Sequence, residues 1–112
     1  MRFTAREERG VVVFVAPAEL DAAVAPDLDQ ALSKVMADGK NHIVIDLKAT
    51  SLIDSSGLAA LVRALKRARA ASGNVILAGL QPPVQKVFEL TRLDKAFDIY
   101  GDGDEAVRRS AK

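Results

Sequence analysis

Residues 11–16, VVVFVA, form an unbroken run of mostly β-branched apolar positions, the pattern of a strand buried on both faces. The polar residues 3–8 before it predict a short edge strand, with Gly10 turning one into the other. Residues 17–26, PAELDAAVAP, have no period and are bounded by prolines, so they predict an irregular connection. Residues 27–36 then place Leu28, Ala31, Leu32 and Val35 at helical spacing, and Gly39 stops that helix. A second strand is expected at residues 42–47, HIVIDL, with Leu52 and Ile53 leading into the turn that follows. Leu58, Leu61, Val62 and Leu65 mark the buried stripe of a second helix, ended by Ser72 and Gly73. NVILAGL, residues 74–80, is another apolar strand. Pro82 and Pro83 open a short helix with Val84, Val87, Phe88 and Leu90 inward. AFDIY is a weak last strand, and residues 102–110 suggest a short terminal helix with a mobile end.

The order β-β-α-β-α-β-α-β-α implies one α/β domain over residues 1–112. Its expected sheet is mixed and mostly parallel, with four to five strands, about four helices and an antiparallel edge supplied by the opening hairpin. No repeat, low-complexity tract or linker interrupts it. In such sheets ligands and partners meet the loops at the carboxyl ends of the strands. Two of those loops carry chemistry: Glu19-Leu20-Asp21 and Asp54-Ser55-Ser56-Gly57.

Composition narrows the function. Sixteen basic residues against fifteen acidic ones leave a formal charge of +1, which gives no bulk attraction to nucleic acid or anionic lipid. The absence of cysteine removes thiolate catalysis, disulfides and zinc-finger sites, and no cofactor motif takes their place. The N-terminal residues have no apolar signal region, and the longest apolar run is too short to span a bilayer, so a cytoplasmic protein without membrane contact is expected. His42, the only histidine, enters a strand as an exposed residue. With no G-x-S-x-G elbow, a serine hydrolase has neither base nor scaffold. Gly101-Asp102-Gly103 is turn chemistry, and the acidic residues lack metal-ligand spacing. Arg63, Lys66, Arg67 and Arg69 suggest the solvated face of the second helix, opposite the leucine stripe, with a docking patch for an acidic partner helix as the alternative.

The DSSG turn admits two readings. Asp and Ser both cap helices, because a side-chain oxygen accepts from a first-turn N–H group. One cap is enough for one helix, so the second serine is superfluous to capping. Helix N-termini also favour anions, and a phosphoserine there would carry about −1.5 to −2 charges. The residues by themselves leave capping and modification both open.

The segment from His42 to Tyr100 resembles the STAS domain of bacterial anti-sigma factor antagonists. The resemblance rests on Ile53-Asp54-Ser55-Ser56-Gly57-Leu58 and on Pro82-x-Val84-x-x-x-Phe88-x-Leu90-x-x-Leu93, and it extends from the VVVFV strand to the terminal helix. It implies that Ser55 is phosphorylated by an anti-sigma factor with serine kinase activity. The unphosphorylated protein would bind that factor, the phosphorylated one would release it, and a serine phosphatase would reset the cycle. ATP, magnesium and a base would come from the partner, leaving this chain a substrate and switch, not an enzyme. The family's Gly-Glu-Leu-Asp loop matches Glu19, Leu20 and Asp21, which would set Asp21 beside Ser55. Here Pro17 and Ala18 stand where a glycine is usual, which bears on the loop's shape. STAS domains also serve as adaptor subunits of ABC-type lipid transporters, the second role the resemblance implies.

Overall fold

The valine run forms strand β2 (Val11–Val15), paired antiparallel with β1 (Thr4–Glu8) through a tight turn in which Arg9 and Gly10 both have positive φ. Such turns match the natural twist of the strands they join. In this computed structural model, which describes residues 3–110, three further strands add parallel to β2: β4 (His42–Asp46), β6 (Asn74–Ala78) and β7 (Asp98–Tyr100). The five-stranded order is β1-β2-β4-β6-β7. The sheet is mixed and mostly parallel, with its single antiparallel pair at the β1 edge.

Alternation along each strand splits the core in two. Val12, Phe14, Ile43, Ile45, Val75 and Leu77 face helices α1 (Ala25–Ala37), α2 (Ser55–Ala70) and α3 (Pro82–Leu90). Val11, Val13, Val44, Ile76 and Ala78 face α4 (Gly103–Ser110), which lays Ala106 and Val107 on them. Residues 111 and 112, the expected mobile end, lie outside the described residues. In α2 the buried stripe contains Leu61 and Leu65 but also Gly57, Ala60, Ala64 and Ala68, while Leu58 and Val62 are half-buried. Small residues on that face let the helix axis approach the sheet closely.

One expectation fails here for a geometric reason. Leu90 is 75% exposed, not inward, because it lies about 200° around α3 from Phe88 at about 100° per residue. Val84 and Phe88 do point inward, and Phe88 packs edge-to-face on Phe97 with ring centroids 5.8 Å apart. The basic run of α2, Arg63, Lys66, Arg67 and Arg69, is exposed as expected, and three of its side chains also reach neighbouring elements. Arg63 reaches across to Asp29 of α1 at 2.7 Å, Arg67 donates to the Ser33 hydroxyl at 2.9 Å, and Arg69 donates to the Ala96 carbonyl at 2.9 Å. Those guanidinium groups clasp α2 to its neighbours on both sides. His42 is half-buried at the start of β4. On the β1 edge the Glu7 carboxylate, bonded by Lys40 at 2.8 Å, holds that ammonium above its ordinary pKa.

Candidate functional site

The connection between β2 and α1 is not wholly irregular. Glu19–Leu20 forms strand β3, which pairs parallel with β5 (Leu52–Ile53) in a small second sheet, Glu19 opposite Leu52 and Leu20 opposite Ile53. The residues just before each strand zip them together. The hydroxyl of fully buried Thr50 donates to the Pro17 carbonyl at 2.8 Å, and the Ser51 amide donates to the Ala18 carbonyl at 2.9 Å. Pro17 and Ala18 act here through their carbonyls alone, so the missing glycine costs the loop none of these bonds. Leu20 and Ile53 turn into the core, while Glu19 and Leu52, the latter 45% exposed, face solvent side by side.

This pairing brings the two chemically loaded loops together at the carboxyl end of the main sheet. Asp54, in extended conformation, is the N-cap of α2. One carboxylate oxygen accepts from the Gly57 amide at 3.0 Å and the other from the Ala22 amide at 3.1 Å, so a single side chain caps the helix and ties it to the neighbouring loop. The Asp54 amide in turn donates to the Leu20 carbonyl at 3.2 Å. Gly57 is required by the same closeness: a Cβ there would be driven into the Leu20 carbonyl oxygen and would also press on Ile53.

Because Asp54 supplies the cap, neither serine does. Ser55 is exposed in the first turn and Ser56 is half-buried beside it. Asp21 lies in the adjoining loop, but its carboxylate accepts from the Ala23 and Val24 amides at 3.1 and 3.2 Å, capping the turn that leads into α1. Among the described residues neither carboxylate hydrogen-bonds the Ser55 hydroxyl; the two acids build the loops that display it. Asp21→Asn, which keeps an acceptor oxygen, is expected to leave the melting temperature nearly unchanged, whereas Asp21→Ala should cost about 1 kcal/mol. Thermal denaturation of both variants checks this, and equal losses would show that charge, not the acceptor, holds the turn.

A shallow groove of about 360 Å³ runs from the serines along the seam between the two helices. Ala22, Ala25, Pro26 and Asp29 form one wall, and Ser55, Ser56, Ala59 and Arg63 the other. Thr50 and Arg63 are the participants that sequence reasoning missed or placed elsewhere. A threonine in an otherwise polar loop gives no sign of burial, and a helix arginine gives no sign of which neighbour it reaches. Among the described residues no cluster of acidic, histidine or cysteine side chains could hold a metal, and no helix is long and apolar enough to cross a membrane.

The STAS domain family model matches residues 2–106. An anti-sigma-B factor antagonist of Listeria monocytogenes is 33% identical over 94 residues, covering 84% of this chain and 82% of its own. Among solved structures, an anti-sigma factor antagonist from Mycobacterium paratuberculosis superposes with a TM-score of 0.88 at 30% identity, covering 98% of this chain and 93% of the other. The Bacillus cell fate determinant SpoIIAA, in its phosphorylated form, gives 0.77 at 25% identity over 96% and 97% of the two chains. The five-stranded mixed sheet, its flanking helices and the match along nearly the whole sequence lead to one assignment: the chain belongs to the STAS domain family of bacterial anti-sigma factor antagonists.

Proposed function

We propose that this protein is a phosphorylation-controlled anti-sigma factor antagonist and that Ser55 is its switch. The observation that carries the reading is the division of labour in the first turn of α2. Asp54 satisfies the cap, which leaves the exposed Ser55 hydroxyl free of structural duty. An antagonist from Mycobacterium paratuberculosis and SpoIIAA in its phosphorylated form share the fold, and the second of these supports modification as part of the cycle.

In this reading the unphosphorylated surface around Ser55, Ser56, Gly57 and the Asp21 loop binds an anti-sigma factor that is also a serine kinase. That partner brings ATP, magnesium and a base. The γ-phosphoryl group passes from ATP to Ser55 Oγ, its bond to the departing ADP breaking as the bond to Oγ forms, and the hydroxyl proton goes to the partner's base. The resulting dianion lies where the partner must pack, and its desolvation cost releases the complex. A serine phosphatase returns the chain to its binding form. The chain is substrate and switch, not enzyme, and works in the cytoplasm without contacting nucleic acid or membrane. Asp21→Asn, with its loop intact, slows the transfer by removing a charge that the kinase reads.

The test is calorimetric titration and ATP labelling with a purified anti-sigma factor kinase from the same organism. Ser55→Ala should bind normally, take no label and lose under about 0.5 kcal/mol of stability, since it removes no cap. Ser56→Ala should still be labelled. Quantitative phosphorylation of Ser55 should weaken binding at least about tenfold, or about 1.4 kcal/mol. Unchanged affinity of the fully phosphorylated protein would overturn the switch, and label retained by Ser55→Ala would move the site to Ser56.

A further inference from the structure

We infer that Arg63 is the built-in counter-charge of the phosphorylated site, acting on the Ser55 phosphate across the inter-helical groove. This rests on the reading of Ser55 as the modified residue. It starts from an electrostatic difficulty in the first turn of α2. A helix N-terminus offers about half a positive charge and a few unbonded amides to an anion. Here Asp54 has already placed a full carboxylate on that end and taken the Gly57 amide, while its carbonyl takes the Leu58 amide. Of the first-turn donors, only the Ser55 and Ser56 amides are not engaged by Asp54. A phosphate on Ser55 therefore meets a neighbouring negative charge and a depleted set of donors, so the helix end cannot by itself neutralise it.

The groove supplies what the helix end lacks. Among the described residues Arg63 is the one cationic residue lining it, and Ala22, Ala25 and Ala59 in its walls carry no side-chain donor to compete. Ser55 and Arg63 are eight residues apart on one helix, about 12 Å along its axis. An α-helical side chain leans toward its helix N-terminus, so Arg63 leans toward the serines while a phosphoserine leans the same way, and the two charges act on each other across the groove without touching. The Arg63 side chain is 58% exposed and is held by Asp29, whose side chain is 40% exposed, in a pair of the kind that contributes little to stability. A dianion competes well against that single carboxylate. Phosphorylation in this arrangement adds its charge at one end of a groove whose other end is already positive.

The experiment uses full-length protein carrying phosphoserine at position 55, incorporated during translation, and follows the second phosphate ionisation by phosphorus NMR. An unperturbed phosphoserine titrates near about pH 6. Arg63→Gln is expected to raise the phosphate pKa by about half a unit relative to the wild-type chain, Arg63→Lys by less, and Asp29→Asn, which frees the guanidinium, to lower it. In 1 M salt, where the screening length falls to about 3 Å, the difference between the wild type and Arg63→Gln should largely vanish. Superimposable titrations of the wild type and Arg63→Gln at low salt would overturn the inference. So would an Arg63→Gln effect that persists undiminished in 1 M salt. Because the phosphate is installed without kinase or partner, this result is independent of the binding test. A coupled phosphate with unchanged partner affinity would sink the switch alone, and a working switch with an uncoupled phosphate would sink the role of Arg63 alone.

Discussion

Gly57→Ala is expected to destabilise the domain by about 1–3 kcal/mol and to separate the two loops of the site. The direction is not obvious from helix propensity, since alanine in place of glycine inside a helix gains about 1 kcal/mol. That gain is outweighed because the added methyl group meets the Leu20 carbonyl, backbone that cannot rotate away. Moving Leu20 lengthens the Asp54 amide bond to it and pulls the Ala22 amide from the Asp54 carboxylate. Urea unfolding measures the loss, and amide exchange at Ala22 and Asp54 reports whether the small sheet has parted. A variant as stable as the wild type, with both amides still protected, would show that β3 yields freely and that Gly57 is not set by close approach.

Leu61→Ala should cost about 2–5 kcal/mol, the range for emptying a leucine site in a packed core. Leu61 has no exposed surface and sits where α2 meets the sheet and α1, so collapse around the cavity would need movement of several elements at once. Against a typical total stability of about 5–15 kcal/mol, one such change brings the domain near its limit. Leu90→Ala is the internal control: the same chemical change at a 75% exposed position should stay within about 0.5 kcal/mol. Chemical denaturation of the pair checks both values, and a Leu61→Ala loss under half a kilocalorie would place α2 on the surface.

The legible part of this fold is the part written in periodic burial. The valine run, the HIVID and NVILA strands and the leucine stripes of α1 and α2 each repeat long enough for their spacing to decide their structure. What could not be read was set by tertiary neighbours. β3 and β5 are two residues each, too short to show alternation, and they pair because Thr50 and Ser51 find the Pro17 and Ala18 carbonyls. Leu90 is not legible in the same way, because a nine-residue helix repeats its apolar stripe too few times to show that Leu90 lies on the far side from Phe88. At the site, the DSSG turn was recognisable as a cap or a modification point. Only the hydrogen bonds decide that Asp54 caps and Ser55 does not, and only the Leu20 carbonyl explains the glycine.

The β3–β5 pairing also sets a schedule. Its two strands are separated in the chain by α1 and β4, so joining them closes a loop of about 33 residues, at a cost near 3 kcal/mol that grows with the logarithm of loop length. A pair of two-residue strands has few bonds to set against that cost. It becomes favourable only once β2 and β4 lie side by side and hold the ends together, as the bond from the Ala16 amide to the Asp46 carbonyl does in the finished sheet. The Ser55 turn is thus completed late in folding, and any protein that must grip both loops at once meets only finished chains.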